Sequence, residues 1–176
     1  MASLTDKSDS GVIVNRVAES AIDTFDLEDL WDGGEIVEFD VAPFLFKGLI
    51  VRERDFRESV KQQDWSAFEG KHVAIFSSVD TIIPTWAYML IASKLDAFAA
   101  SVTQGRSDDL SSSYFTAKLA QFDFSKYEDR IVVVKGCGSG VVPVSAYVDA
   151  TQRLQKVARK LMYGEACSSV PLWRKP

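Results

Sequence analysis

Apolar and polar residues alternate along this chain in blocks that predict strands and helices in turn. Residues 72 to 78 are apolar through Val73, Ala74, Ile75 and Phe76, and residues 131 to 135 read Ile-Val-Val-Val-Lys. Short continuous apolar runs of this kind suit strands covered on both faces. Residues 35 to 41 instead alternate charged and apolar side chains from Glu35 to Val41, as expected of a strand with one exposed face near a sheet edge. A weaker strand is expected at 99 to 104 and a last extended segment at 170 to 173. Helical patterns fall between them. Residues 49 to 63 place Ile50, Phe56 and Val60 among charges, 84 to 98 is apolar on nearly every side, and 108 to 122 follows Ser107 as a cap. A last helix is expected from Pro143 to Tyr163, where Tyr147, Val148, Thr151, Leu154, Ala158, Leu161 and Met162 recur every three or four positions.

Strands alternating with helices imply right-handed parallel crossovers. The expected fold is α/β, a three-layer sandwich with a mostly parallel sheet of four or five strands and helices on both faces. A chain of 176 residues with 47% hydrophobic content suffices for one well-buried core. Residues 1 to 11 are expected to be a disordered tail and 12 to 176 a single domain. The mixed stretch from 12 to 31 allows one short helix at 27 to 31. The pattern shows no internal repeat and no low-complexity tract. The helix at 84 to 98 needs cover on more than one face, either inside the domain or against a second subunit, which makes a homo-oligomer, such as a homodimeric scaffold without catalysis, one expectation.

Charge narrows the function classes. A formal net charge of -5 disfavours nucleic acid as a partner, because that binding is driven by Lys and Arg. Residues 1 to 40 hold eleven acidic and two basic side chains, and residues 151 to 176 six basic and one acidic, so the two ends have opposite fields. The acidic run lacks the spacing of a calcium loop and reads as solvated surface. The basic stripe from Arg153 to Lys160 reads as a solvated helix face, with an acidic protein partner as the alternative. The most apolar window, 81 to 93, contains Pro84 and is shorter than the roughly 20 residues of a membrane helix, so no membrane role is expected. Two cysteines and no hydrophobic leader point to a reducing, cytoplasmic setting.

Candidate chemistry gathers where ligands bind in open parallel sheets, beyond the carboxyl ends of the strands. That rim collects Asp40, Ser77, Ser78, Asp80, Thr81, Gly105 and the loop Lys135, Gly136, Cys137, Gly138, Ser139 and Gly140. A glycine loop before a helix offers N–H groups to an anion, although G-x-G-x-G is neither a dinucleotide nor a Walker spacing. The plain alternative is a turn needing positive φ. Cys137, beside Lys135, is placed for a low thiol pKa, and would serve as nucleophile, sulfur carrier or ligand for zinc or iron; its plain alternative is a small buried residue. Cys137 and Cys167 could share a metal only between subunits or across a kink, since a straight helix from 145 to 163 would span about 28 Å and the four residues back to Cys167 recover at most about 14 Å. His72 is the one histidine. It falls at a strand start, opposite the presumed pocket, and is read as structural, which argues against a Ser-His-Asp triad or a His-rich zinc site.

Residues 82 to 95 (IIPTWAYMLIASKL), 132 to 138 (VVVKGCG), 142 to 148 (VPVSAYV) and 162 to 173 (MYGEACSSVPLW) resemble the bacterial domain-of-unknown-function family 2480. The resemblance covers nearly the whole chain from Val12, and Ala166 stands where the family pattern leads us to expect Pro. It implies a small soluble protein with no assigned activity and an accessory role in sulfur or iron handling, with iron-sulfur assembly proteins as partners. The residues themselves leave two further readings open. One is a domain that binds a phosphate or carboxylate through Ser78, Asp80, Thr81 and the Lys135 to Gly140 loop. The other is the scaffold built on the helix from Trp86 to Phe98.

Overall fold

In a computed structural model the described residues are 22–136, 138, 140–165 and 168–176. They form seven strands and four α-helices, in the order β1 (Ile22–Phe25), β2 (Ile36–Asp40), α1 (Glu53–Gln62), β3 (His72–Phe76), α2 (Thr85–Leu95), β4 (Ser101–Gln104), α3 (Ser107–Gln121), β5 (Ile131–Val134), α4 (Val144–Leu154), β6 (Lys160–Glu165) and β7 (Ser168–Arg174). The class is α/β and the pairing mostly parallel, as the alternation of periods predicts. The strands do not share one sheet. They divide into β2-β3-β4, all parallel, and β1-β5-β6-β7, parallel except for the antiparallel β6-β7 hairpin.

Helix α3 lies between the two sheets, which is why a single-sheet sandwich of four or five strands does not describe the chain. On β3, Val73 and Ile75 join the cluster formed with Phe56 and Val60 of α1 and Ala87, Ile91 and Leu95 of α2. The opposite face of β3 turns to α3, where the ring of Tyr114 lies 5.2 Å from that of His72. Tyr114, Phe115 and Leu119 of α3 also enter the second cluster, with Phe25, Val132 and Val134 of the larger sheet and Ala146, Ala150 and Leu154 of α4. A helix with both sides committed cannot show the single apolar stripe of a surface helix. Its start is held by β2: Glu38 accepts from the Ser107 N–H and hydroxyl, and Asp109 accepts from the Arg106 N–H. Ser107 is therefore the first helical residue, and the capping oxygens come from carboxylates.

The two sheets are built from one repeated unit. The shift that carries Asp64 onto Asp123 also carries α2 onto α4, β4 onto the start of β6, Pro84 onto Pro143, and the pairs Ala87-Tyr88 and Leu95 onto Ala146-Tyr147 and Leu154, without a gap. Its local bonds repeat as well. Asp64 and Asp123 each accept from the N–H of the serine two residues on. Gly70 and Asp129 both have positive φ (69° and 53°), and their N–H groups reach Phe98 O and Val157 O. The first strand repeats separately: Asp26, just after β1, and Asp40, at the end of β2, each accept from the N–H two residues later. The unit β2-α1-β3-α2-β4 thus sits inside its own copy, between β1 and α3. This repeat escapes the sequence pattern because its identities are few and its first strand is separated from the rest of the copy.

The last helix is shorter than the three-and-four spacing suggests. It ends at Leu154, and residues 160 to 165 form β6 instead. Leu161 and Tyr163, two apart, then point to one face of the sheet, and Leu161 is fully buried. Residues 22 to 25, within the stretch whose pattern is mixed, form β1 in parallel register with β5 from Ile22 opposite Ile131 to Phe25 opposite Val134. Among the described residues no helix is long and apolar enough to cross a membrane.

Candidate functional site

Among the described residues no strand pairs with the outer edge of β4 in the smaller sheet, and the two faces of that strand open into separate clefts. Alternation along β4 sends Ser101 and Thr103 to the α3 side and Val102 and Gln104 to the α2 side. On the α3 side lies a cleft of about 390 Å³ lined by Asp32, His72, Ser101, Thr103, Tyr114 and Lys118 among others. On the α2 side an apolar cleft of about 530 Å³ is lined by Ile75, Ile83, Tyr88, Met89, Val102 and Gln104 among others. Met89 is 65% exposed there.

In the copy of this unit the same edge is closed. β6, the counterpart of β4, pairs antiparallel with β7. Trp173 sits opposite Leu161, which corresponds to Val102, and Val170 sits opposite Tyr163, which corresponds to Gln104. Trp173 packs on the larger sheet's core, and the ring of Tyr147, counterpart of Tyr88, lies 5.9 Å from that of Tyr163. Among the described residues β4 has no counterpart of β7 along its outer edge.

At the bottom of the polar cleft, His72 is 1% exposed. Its Nδ1 lies 2.7 Å from Ser101 Oγ and its Nε2 2.9 Å from Asp32 Oδ1. Trp31 and Tyr114 flank the ring at 4.7 and 5.2 Å. Tyr114 Oη donates to Leu30 O and accepts from the Asp32 N–H, which fixes the segment that carries the carboxylate. Burial pushes the Asp32 carboxyl up, but the Gly34 N–H, the His72 ring and the Tyr114 hydroxyl outweigh it and hold the group below its ordinary range. Burial opposes ionisation at Asp40 too, and is outweighed by the Ser78 hydroxyl and the N–H groups of Ala42 and Ser78. For both carboxyls the unfolded chain binds protons more readily, so their contribution is complete above about pH 4 and is lost as pH falls through the lower folded values. Urea midpoints are expected to drop from pH 5 to pH 3, and Asp32→Asn and Asp40→Asn should each flatten that drop; parallel slopes in all three proteins would count against this account.

The family comparison gives the chain its place. The model for the family of proteins of unknown function DUF2480 matches residues 11–175. The chain belongs to that family. No curated protein and no solved structure matches it. The DUF2480 assignment agrees with the resemblance read from the sequence, and the geometry must supply the rest.

The described residues among those singled out at the strand ends of this DUF2480 chain do not line either of the two clefts. Ser78, Asp80 and Thr81 follow β3 in the smaller sheet, whereas Lys135 to Gly140 follow β5 in the larger one, at equivalent places in the repeat. Ser78 donates to Asp40 through both its N–H and its hydroxyl, and Thr81 Oγ1 donates to Leu49 O. Asp80 is exposed. Lys135 Nζ donates to Asp26 Oδ2 at 2.6 Å, and this bond with the neighbouring charge raises the lysine's pKa. Gly136 O accepts from Tyr163 Oη, and a Cβ added at Gly138 would lie 2.4 Å from Glu28 Oε1, so a carboxylate lies against the loop backbone. Gly140 has a φ of 85°, as a turn requires.

Cys137, Ser139 and Cys167 lie outside the described residues. The straight helix invoked to separate the two cysteines ends at Leu154, so that distance argument lapses. Among the described residues no group of three or more His, Cys, Asp or Glu is placed to hold a metal ion. The zinc, iron and iron-sulfur readings gain no support from the described residues. The cluster that the sequence pattern does not announce is the one at His72: its hydrogen-bond partners Asp32 and Ser101 are 40 and 29 residues away, and no local spacing signals them.

Proposed function

We propose that this protein is a binding domain that takes up an extended polypeptide segment of another protein along β4, in an adaptor or assembly role. One observation carries the reading. The repeated unit occurs twice in the chain, and in the copy whose outer strand is covered the cover is an antiparallel strand with an aromatic residue on the helix side. Strand addition to a free edge draws affinity from main-chain bonds and specificity from pockets for alternate side chains, and an unpaired edge left open is otherwise a liability that proteins blunt. The chemistry of the segment follows from the clefts: apolar, preferably aromatic, side chains opposite Val102 and Gln104, and small polar ones facing Ser101 and Thr103. β4 itself offers only one apolar side chain, Val102, so a heterologous strand suits the groove better than a second β4 across a dyad.

The test uses the chain's own covering strand. A fluorescein-labelled peptide of the sequence SSVPLWR is expected to bind the intact protein saturably by fluorescence anisotropy. Met89→Lys, at an exposed position where little folding energy is at stake, should weaken it about tenfold or more, in line with the ~1.5–3 kcal/mol of a buried Met side chain. No saturable binding, or binding indifferent to Met89→Lys, would count against the proposal. A stable dimer in sizing that excludes the peptide would replace the foreign strand by a second copy.

A further inference from the structure

Asp32, His72 and Ser101 form a single hydrogen-bonded line that ends at an open cleft. For a neutral imidazole its direction follows from the partners. Asp32 is held in its ionised form and can only accept, and since its partner is Nε2, that nitrogen carries the imidazole proton in the neutral ring. Nδ1 is then the acceptor, and at 2.7 Å it receives the Ser101 O–H. The ring is packed between Trp31 and Tyr114, so it cannot turn away from the hydroxyl. Nucleophile within reach of a base, and base oriented by a third group, is the arrangement that activates a serine. Here the two ring nitrogens have exchanged their usual roles.

The repeat shows that the fold does not require this line. In the other copy Ile131 stands at the position of His72 and Lys160 at that of Ser101. A strand start built from Ile and Lys serves the same architecture, whereas a buried polar network is costly unless every member is satisfied. Three polar residues, drawn from three separate segments and placed at a cleft of about 390 Å³, therefore carry something other than the fold. The size is that of a small-molecule site.

We propose that Ser101 is the nucleophile of an acyl-transfer site for a small ester or thioester, with His72 as its base and Asp32 as the positioning residue. Ser101 Oγ adds to the carbonyl carbon as its proton passes to His72 Nδ1. The tetrahedral intermediate collapses by breaking the bond to the alcohol or thiol, which leaves with the proton from Nδ1. Water, deprotonated in turn by Nδ1, then cleaves the acyl-serine, releasing a carboxylic acid and restoring the hydroxyl. Lys118 and Gln121 line the same cleft and supply N–H donors for the oxyanion. The proposal does not depend on strand binding at β4 and is tested without it.

A fluorophosphonate probe reports the activated hydroxyl directly: Ser101 Oγ bonds to phosphorus, fluoride leaves, and the proton goes to His72. Incubation with the intact protein followed by peptide mass spectrometry is expected to give one adduct per chain, at Ser101, and none in Ser101→Ala. Asp32→Asn, whose side chain is 46% exposed, should fold normally and react at least tenfold more slowly at pH 7 while still reaching the same end point, because the amide no longer fixes which ring nitrogen holds the proton. His72→Gln should abolish labelling; should it fail to fold, Asp32→Asn still decides. Absence of the Ser101 adduct, or an equal rate in Asp32→Asn, would overturn the assignment.

Discussion

Replacing Phe115 by Ala is expected to cost about 3–5 kcal/mol, the range for removing a buried aromatic ring from a packed interior. The ring is fully buried and lies 5.5 Å from that of Tyr114 and 6.2 Å from that of Trp31. Its position makes the consequence global. Phe115 belongs to the core of the larger sheet, while the adjacent Tyr114 touches His72 of the smaller one, so a loosened α3 loosens both. Urea unfolding followed by tryptophan fluorescence and by far-UV circular dichroism should shift together to lower denaturant in Phe115→Ala. Trp65 and Trp86 pack with the smaller sheet and Trp173 with the larger, so fluorescence samples both. Two separated transitions would mean that the nested copies are independent units and that α3 does not couple them.

That coupling explains what could be read from the chain and what could not. The alternating strand from Ile36 and the apolar run from Ile131 are local signals, set by period-two burial, and each forms the strand expected. So does the buried run from His72, and β7 falls where a last extended segment was expected. Helix α2 lies within the apolar stretch that predicts it, though Met89 and Phe98 of that stretch remain exposed. Other features depend on residues far apart in sequence. β1 exists because β5 lies beside it, and four residues reading Ile-Asp-Thr-Phe announce no strand by themselves. Leu161 and Met162 satisfy a helical period equally well, and only pairing with β5 and β7 settles them as strand. The division into two sheets follows from the nesting of one unit in its copy, which no local pattern encodes. The site shows the same limit: Lys135 beside Cys137 suggests a free cation until Asp26, from the other end of the chain, is brought to it. His72 at a strand start reads as a lone histidine, and only the fold brings Asp32 and Ser101 onto its two nitrogens.

Gly34→Ala should be the sharpest probe of that arrangement. A Cβ built at Gly34 would stand 2.5 Å from His72 Nε2 and 2.6 Å from His72 Cδ2, closer than any real contact. The imidazole cannot retreat, because Trp31 and Tyr114 flank it and Ser101 and Asp32 hold both nitrogens. Nor can the loop move freely, since the Gly34 N–H donates to the same Asp32 oxygen that binds the ring. Overpacking of this kind costs about 1–3 kcal/mol, and relief by breaking the Asp32 contacts adds the loss of those bonds. The cause can be isolated with a double-mutant cycle. If the collision with the ring is responsible, Gly34→Ala should cost far less in a His72→Ala background, where the space is open, than in the wild-type protein. Equal costs in the two backgrounds would place the penalty in the Gly34 backbone and remove the glycine from the account of why His72 is held where it is. The same single variant should slow fluorophosphonate labelling of Ser101, because a displaced imidazole no longer meets the hydroxyl at hydrogen-bonding distance.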